Sequence, residues 1–270
     1  MSQVTEERPV EEKLLAERNG PVAQITFNNP ARHNAVSLEM WQRMIMLLEE
    51  FAEDPGLRVL IVTGAGGKAF VSGADISKFE SERSTKEAVA VYNAASAKVA
   101  ERLYNFPKPT IAKVNGYCIG GGVNIAVCCD MRIASEVSKF GIPAARLGLG
   151  YGFPGVNRLT EIVGISRAME LFYTARRVPA NEAYDMGLVN AVVPVAELDE
   201  HVSSLAQTIA QNAPMTIATI KAVAREIGKP AHERDLAKLD AMVTACFESE
   251  DYIEGRRAFM EKREPQFKGR

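Results

Sequence analysis

The stretch TIAKVNGYCIGGGVNIAVCCD, residues 110–130, restricts the fold more than any other part of the chain. An apolar, β-branched run from Thr110 to Val114 meets a turn at Asn115-Gly116. It then passes Gly120-Gly121-Gly122 into the apolar segment Val123 to Cys129. A short apolar run bounded by turn residues reads as a buried strand, and the run after the glycines as a buried helix. Strands that alternate with helices belong to an α/β fold with a largely parallel sheet. The glycines admit φ > 0 and let another backbone or a ligand come close. The first N–H groups of the helix have no partner within it and carry a partial positive charge. The junction therefore suits an anion or a developing oxyanion. Tight strand–helix packing alone would also place glycines there.

The rest of the chain agrees with this class. Leu14 to Ala16 and Val22 to Phe27 flank an Asn19-Gly20 turn and predict a hairpin. Ser37 is a good N-cap for a helix over Leu38 to Ala52. Arg58 to Thr63 predicts a strand, followed by the loop Gly64-Ala65-Gly66-Gly67. Residues 86–105 predict a helix, and Met131 to Ala134 another short strand. From about residue 155 the pattern is almost entirely helical, with amphipathic stretches at 196–212, 215–228, 231–248 and 252–262. The expected organisation is an α/β core over 1–200 followed by a C-terminal helical oligomerisation region over 201–270.

Composition narrows the function classes. With 32 basic and 34 acidic residues the formal net charge is -2, so nucleic acid and anionic membrane are poor partners. No run of 18 apolar residues is present, and no membrane span is expected. The N-terminus lacks a signal core. Cysteines at 118, 128, 129 and 246 form no Cys-x-x-Cys, which points to buried thiols in a reduced cytoplasm. The three histidines, 33, 201 and 232, make neither a zinc motif nor a Ser-His-Asp arrangement obvious, so no metal and no separate cofactor are expected.

A second segment that can carry chemistry is Ala69-Phe70-Val71-Ser72-Gly73-Ala74-Asp75-Ile76, which follows a strand and a glycine-rich loop. Ser72-Gly73 can present backbone N–H groups into the same cleft. Ser72 as a nucleophile lacks the Gly-x-Ser-x-Gly setting and a histidine, and Asp75 is as well explained as a brace. Gly150-Tyr151-Gly152-Phe153-Pro154-Gly155 matches G-x-G-x-x-G, but no convincing strand precedes it and no acid follows at the dinucleotide spacing.

Together these segments resemble the enoyl-CoA hydratase/isomerase (crotonase) superfamily over nearly the whole chain. Asn29 to Ala35 resembles its Arg-Pro-x-x-x-Asn-Ala loop, and Ala69 to Ile76 its Ala-Phe-x-Ala-Gly-Ala-Asp-Ile motif. Lys108-Pro109 through Asp130 resembles its glycine-triplet signature, and Asp185 to Asn190 and Ala258 to Arg263 resemble further segments. The resemblance implies a crotonase (ClpP-like) spiral of β-β-α repeats with a C-terminal helical region, assembled as a homotrimer or dimer of trimers. It also implies a CoA thioester substrate, with coenzyme A entering only as part of that substrate. The backbone N–H groups of Ser72 and Gly121 are the oxyanion donors it implies. Ala31, Arg32, His33, Ala35, Gly73, Ala74, Asp75, Ile76 and Gly120 are implied to lie along the CoA moiety. Lys262 matches a family residue near the CoA of a neighbouring subunit.

Family hydratases carry two glutamates, and this chain departs at both. Asn124 stands two residues after the last glycine, and Ala144 follows Phe140-Gly141-Ile142-Pro143. Neither can act as a general base. Arg146 and Tyr151 remain near the expected cleft, each with an ordinary packing or ion-pair role as the bland reading. Tyr151 falls where the related methylmalonyl-CoA decarboxylases carry a tyrosine, although those often have histidine where Ala74 stands. Glu80, Glu82 and Glu101 are candidates for a relocated acid or base. Three functions are open at this point: a crotonase-type lyase or isomerase with non-standard acid/base groups, a 2-carboxyacyl-CoA decarboxylase using Tyr151, and a CoA-thioester-binding protein without chemistry of its own.

Overall fold

The computed structural model describes residues 9–75 and 84–270. Helix α1 (Val10–Lys13) leads into strands β1 (Leu14–Asn19) and β2 (Val22–Phe27), then helix α2 (Leu38–Glu53). Three β-β-α units follow. The first is β3 (Val59–Gly64), β4 (Ala69–Val71) and α3 (Lys86–Tyr104). The second is β5 (Thr110–Val114), β6 (Tyr117–Ile119) and α4 (Gly121–Cys128). The third is β7 (Met131–Ser135), β8 (Lys139–Gly141) and α5 (Ala144–Leu147). Then come α6 (Phe153–Val163), α7 (Ile165–Thr174), β9 (Val178–Pro179), α8 (Ala180–Asp185) and β10 (Ala191–Val193). Helices α9 (Leu198–Gln211), α10 (Pro214–Ile227), α11 (Leu236–Glu248) and α12 (Glu250–Glu261) complete the described fold.

Each unit sends its first strand to one sheet and its second to another, which makes the chain a spiral. The six-stranded sheet runs β1-β2-β3-β5-β7-β10 and is parallel from β2 onward. The four-stranded sheet runs β4-β6-β8-β9. Strand alternation divides the apolar side chains between two layers. Leu60, Val62, Ala112 and Val114 face the main core, which α2 closes with Met40, Met44, Leu47, Leu48 and Phe51. Val59, Ile61, Ile111 and Ile133 face the other way and are covered by Leu198, Val202 and Ala206 of α9. At about 25 cal/mol per Å² of apolar surface buried, this second layer is a substantial part of the stability. Helix α9 runs across residue 200 and seals one face of the sheet.

Three local expectations shift. The hairpin register pairs Asn19 with Val22, so the loop is Gly20-Pro21, one residue later than expected, with Gly20 at φ +58°. Strands β6 and β8 are only three residues long and were not separable by periodicity from the turns around them. The region after 155 also contains β9 and β10, and β10 completes the large sheet beside β7.

One carboxylate ties the tail to the core. Asp130 accepts from the Thr110 N–H (2.8 Å) and hydroxyl (3.0 Å), from Lys221 Nζ (2.7 Å) and from Arg225 Nη2 (2.8 Å). Lys221 also donates to the Lys108 carbonyl at 2.8 Å. Burial lowers the Lys221 pKa, opposed by Asp130. Removing the acid leaves a buried ammonium unpaired. Asp130→Ala is expected to lower the unfolding free energy by about 3 kcal/mol in urea titrations; a loss below about 1 kcal/mol would show that α10 is held by other contacts.

Candidate active site

The cleft is built where α4 starts against the end of β4. Gly120, at φ +56°, turns the chain from β6 into α4, and its N–H donates to the Gly141 carbonyl at 2.8 Å. A Cβ on Gly122 would lie 2.1 Å from the Val71 carbonyl oxygen, so only glycine lets the helix start this close to β4. The first bond closing the helix runs from the Asn124 N–H to the Gly120 carbonyl, at 3.2 Å. Among the described residues, the Gly121 N–H has no acceptor.

The facing strand contributes a second unpaired donor, and it is not Ser72. The Ser72 N–H donates to the His33 carbonyl at 3.1 Å. Gly73 then takes φ +106° and breaks the strand alternation. Its carbonyl accepts from the Val36 N–H (2.9 Å), and the Asp75 N–H donates to the Val36 carbonyl (3.1 Å). A trans peptide holds N–H and C=O in opposite directions, so the Ala74 N–H points away from Val36. It has no acceptor among the described residues. A Cβ built on Gly121 would stand 3.7 Å from Gly73 Cα, so the two segments approach to within the width of a methyl group. The Ser72 N–H, expected to be a donor, is thus spent on His33, and the Ala74 and Gly121 N–H groups are the ones left free among the described residues. Two unpaired donors beside a helix N-terminus can receive an oxyanion.

The loop at 29–35 forms one wall. Asn34 is buried at φ +56° and accepts from the Asn29 N–H (2.9 Å). It donates to the carbonyls of Ala65 (2.9 Å) and Ala69 (2.7 Å). This buried hub fastens the loop to both ends of the β3–β4 connection. Ala35 is buried beneath it, whereas Ala31, Arg32 and His33 are exposed. Arg32 Nη1 lies 3.3 Å from the buried Asp75 carboxylate, across the cleft mouth. The His33 ring meets Tyr117 edge-on at 6.3 Å. Lys262, at the C-terminal end of α12, bonds through its N–H to Phe259, and none of its contacts joins this loop. Ile76, Glu80 and Glu82 lie outside the described residues, and Glu101 is exposed on α3.

The far wall holds Asn124, Ala144 and Tyr151. Residues 121, 124 and 128 share one face of α4. Asn124 is half-buried between fully buried neighbours, and its Oδ1 is enclosed without a hydrogen-bond partner. Ala144 is buried at the start of α5 and offers only a methyl group, while Arg146 is exposed. Tyr151 arises from an otherwise exposed glycine-rich loop, and its ring enters the core edge-on to Phe172 at 5.0 Å. Its hydroxyl reaches the Gly120 carbonyl at 3.5 Å. Burial, with the Cys128 and Cys118 thiols beside it, pushes the phenol up to about 12. It is therefore a neutral donor at neutral pH. Burial likewise raises Cys118, Cys128 and Cys129, which remain inert thiols. No group of three metal-ligating side chains occurs among the described residues.

Gly155 is the residue that sequence reasoning passed over. A Cβ there would lie 3.1 Å from Tyr151 Cε1 and 3.5 Å from Asn124 Oδ1. The G-x-G-x-x-G spacing, a false lead for a dinucleotide, marks the slot that seats this tyrosine.

Residues 17–270 match the model of the enoyl-CoA hydratase/isomerase family. The chain is 38% identical over 258 residues to the short-chain-enoyl-CoA hydratase of Clostridium acetobutylicum, covering 95% of this chain and 98% of that one. It is 36% identical over 263 residues to the carnitinyl-CoA dehydratase of Escherichia coli K12, covering 96% and 99%. Among solved structures, an enoyl-CoA hydratase from Bacillus anthracis matches with a TM-score of 0.90 at 33% identity, over 96% of this chain and all of that one.

The phenol can be checked directly. At pH 10, the ordinary tyrosine value, wild type and Tyr151→Phe are expected to show equal phenolate absorbance, because Tyr151 is not yet ionised. A deficit of about half a tyrosine in the variant would contradict the buried placement.

Proposed function

Because the chain belongs to the enoyl-CoA hydratase/isomerase family, and so is an enzyme that acts on CoA thioesters, we propose that it generates or captures a thioester enolate between the Ala74 and Gly121 N–H groups. The observation that carries this reading is that these two backbone donors have no acceptor among the described residues and lie on closely approaching segments. Proton loss, or attack conjugate to the thioester, places negative charge on the carbonyl oxygen. Each preorganised donor aimed at that charge contributes about 3 kcal/mol to the transition state. The loop 31–35 and residues 73–75 would flank the CoA moiety. Water addition by a glutamate pair does not fit, because Asn124 and Ala144 stand at those two positions.

A second reading is favoured by the neutral Tyr151 phenol: decarboxylation of a 2-carboxyacyl-CoA. The bond from C-2 to the carboxylate breaks, carbon dioxide leaves, and the electron pair becomes the enolate. A proton from the phenol or water then completes C-2. Such a step needs no base to start it. The exposed apolar side chains of the tail, including Phe247, Phe259 and Met260, support the expected assembly as a homotrimer or dimer of trimers.

A panel of acyl-CoA thioesters incubated in heavy water and read by mass spectrometry tests the proposal. Water gain, carbon dioxide loss or deuterium at C-2 is expected for at least one member. Gly121→Pro removes the donor at a helix position that tolerates proline, and should lower that turnover about 100-fold. An unchanged panel, or full activity in Gly121→Pro, would contradict it.

A further inference from the structure

We infer that the Asn124 carboxamide is a specificity-determining group, selecting acyl thioesters that carry a second carbonyl carbon on C-2. These are the 1,3-dicarbonyl thioesters, whether the second group is a carboxylate or a ketone. The inference rests on the enolate reading of the same cleft and names its substrate class.

Four observations converge on it. Asn124 lies one helical turn beyond Gly121 on the face of α4 that carries the free N–H. Positions one turn apart on a helix face stand about 5–6 Å from each other, so a thioester oxygen held at the Gly121 N–H brings a substituent on C-2 toward position 124. The Asn124 side chain is held from behind, with Oδ1 enclosed against Gly155 and without a partner. Its Nδ2 makes no bond within the described protein and so is free to donate to a ligand.

The remaining groups on these walls are donors or apolar: the Ala74 and Gly121 N–H groups, the Tyr151 hydroxyl and the Ala144 methyl. The one described carboxylate nearby, Asp75, faces Arg32 at the cleft mouth. A carboxylate at position 124 would repel a second anionic or carbonyl oxygen on the substrate, whereas an amide N–H donates to it. A simple alkyl chain would leave Nδ2 desolvated and unpaired, so the same group that admits a dicarbonyl discriminates against butyryl-type substrates.

Calorimetric titration with methylmalonyl-CoA, acetoacetyl-CoA, butyryl-CoA and free CoA tests this, each ligand being checked afterwards for conversion by mass spectrometry. One or both dicarbonyl thioesters are expected to bind at least about tenfold more tightly than butyryl-CoA. Preference for methylmalonyl-CoA identifies a carboxylate as the second group, and preference for acetoacetyl-CoA a ketone. Asn124→Leu should erase the advantage, and Asn124→Asp should erase it for methylmalonyl-CoA in particular, with melting temperatures confirming that both variants fold. Butyryl-CoA binding as tightly as both dicarbonyls, or an advantage that survives Asn124→Leu, overturns the inference alone. If no thioester binds more tightly than free CoA, the enolate reading fails and the inference with it.

Discussion

The start of α4 is pressed against the end of β4, and the rest of the cleft depends on that approach. It is possible only because position 122 has no side chain: a Cβ would stand 2.1 Å from the Val71 carbonyl. The consequence is electrostatic as much as steric. A helix N-terminus with an unpaired Gly121 N–H is brought against the segment where Gly73 reverses the strand alternation and frees the Ala74 N–H. Both donors are backbone atoms fixed by sheet and helix, so they are oriented before any ligand arrives. The Asn34 hub, which ties the 29–35 loop to Ala65 and Ala69, holds the other side of this junction rigid.

Around this anchor the described side chains at positions 124, 144 and 151 are neutral. Among the described residues Asn124 and Ala144 put no carboxylate on the far wall, and a half-buried, neutral phenol enters from the loop at 148–152. The Tyr151 ring fits because Gly155 presents no side chain and Phe172 meets it edge-on. A cleft of donors stabilises negative charge on a substrate but does not itself remove a proton. On the proposed enolate reading, chemistry that begins with departure of a group, or with a substrate already acidic at C-2, suits it better than water addition by a glutamate pair.

Much of this was legible in the residues. The β-strand, glycine triplet and buried helix at 110–129 mark the junction, and the order of motifs marks the β-β-α spiral. Asn124, Ala144 and Tyr151 were identifiable through the family resemblance, the first two by their places after Gly120-Gly121-Gly122 and Phe140-Gly141-Ile142-Pro143. The choice between Ser72 and Ala74 was not, because it turns on one positive φ at Gly73 that redirects two peptide planes. Strands of three residues, such as β6, β8 and β10, carry too little periodicity to be read alone. The place of α9 also required tertiary structure: amphipathic spacing shows that a helix has an apolar face, not that the face covers Val59, Ile61, Ile111 and Ile133.

Lys221 and Arg225 on α10 converge on Asp130, one residue before β7, so the tail is clamped to the same sheet that carries the cleft. The central claim, that the Ala74 and Gly121 N–H groups bind the thioester oxygen, is tested most directly by isotope-edited infrared spectroscopy of a bound acyl-CoA labelled with carbon-13 at the thioester carbonyl. Two hydrogen bonds to that oxygen predict a carbonyl stretch shifted to lower frequency than in water, with the shift reduced in Gly121→Pro. A stretch at the solution frequency, or one unaffected by that substitution, would contradict the account.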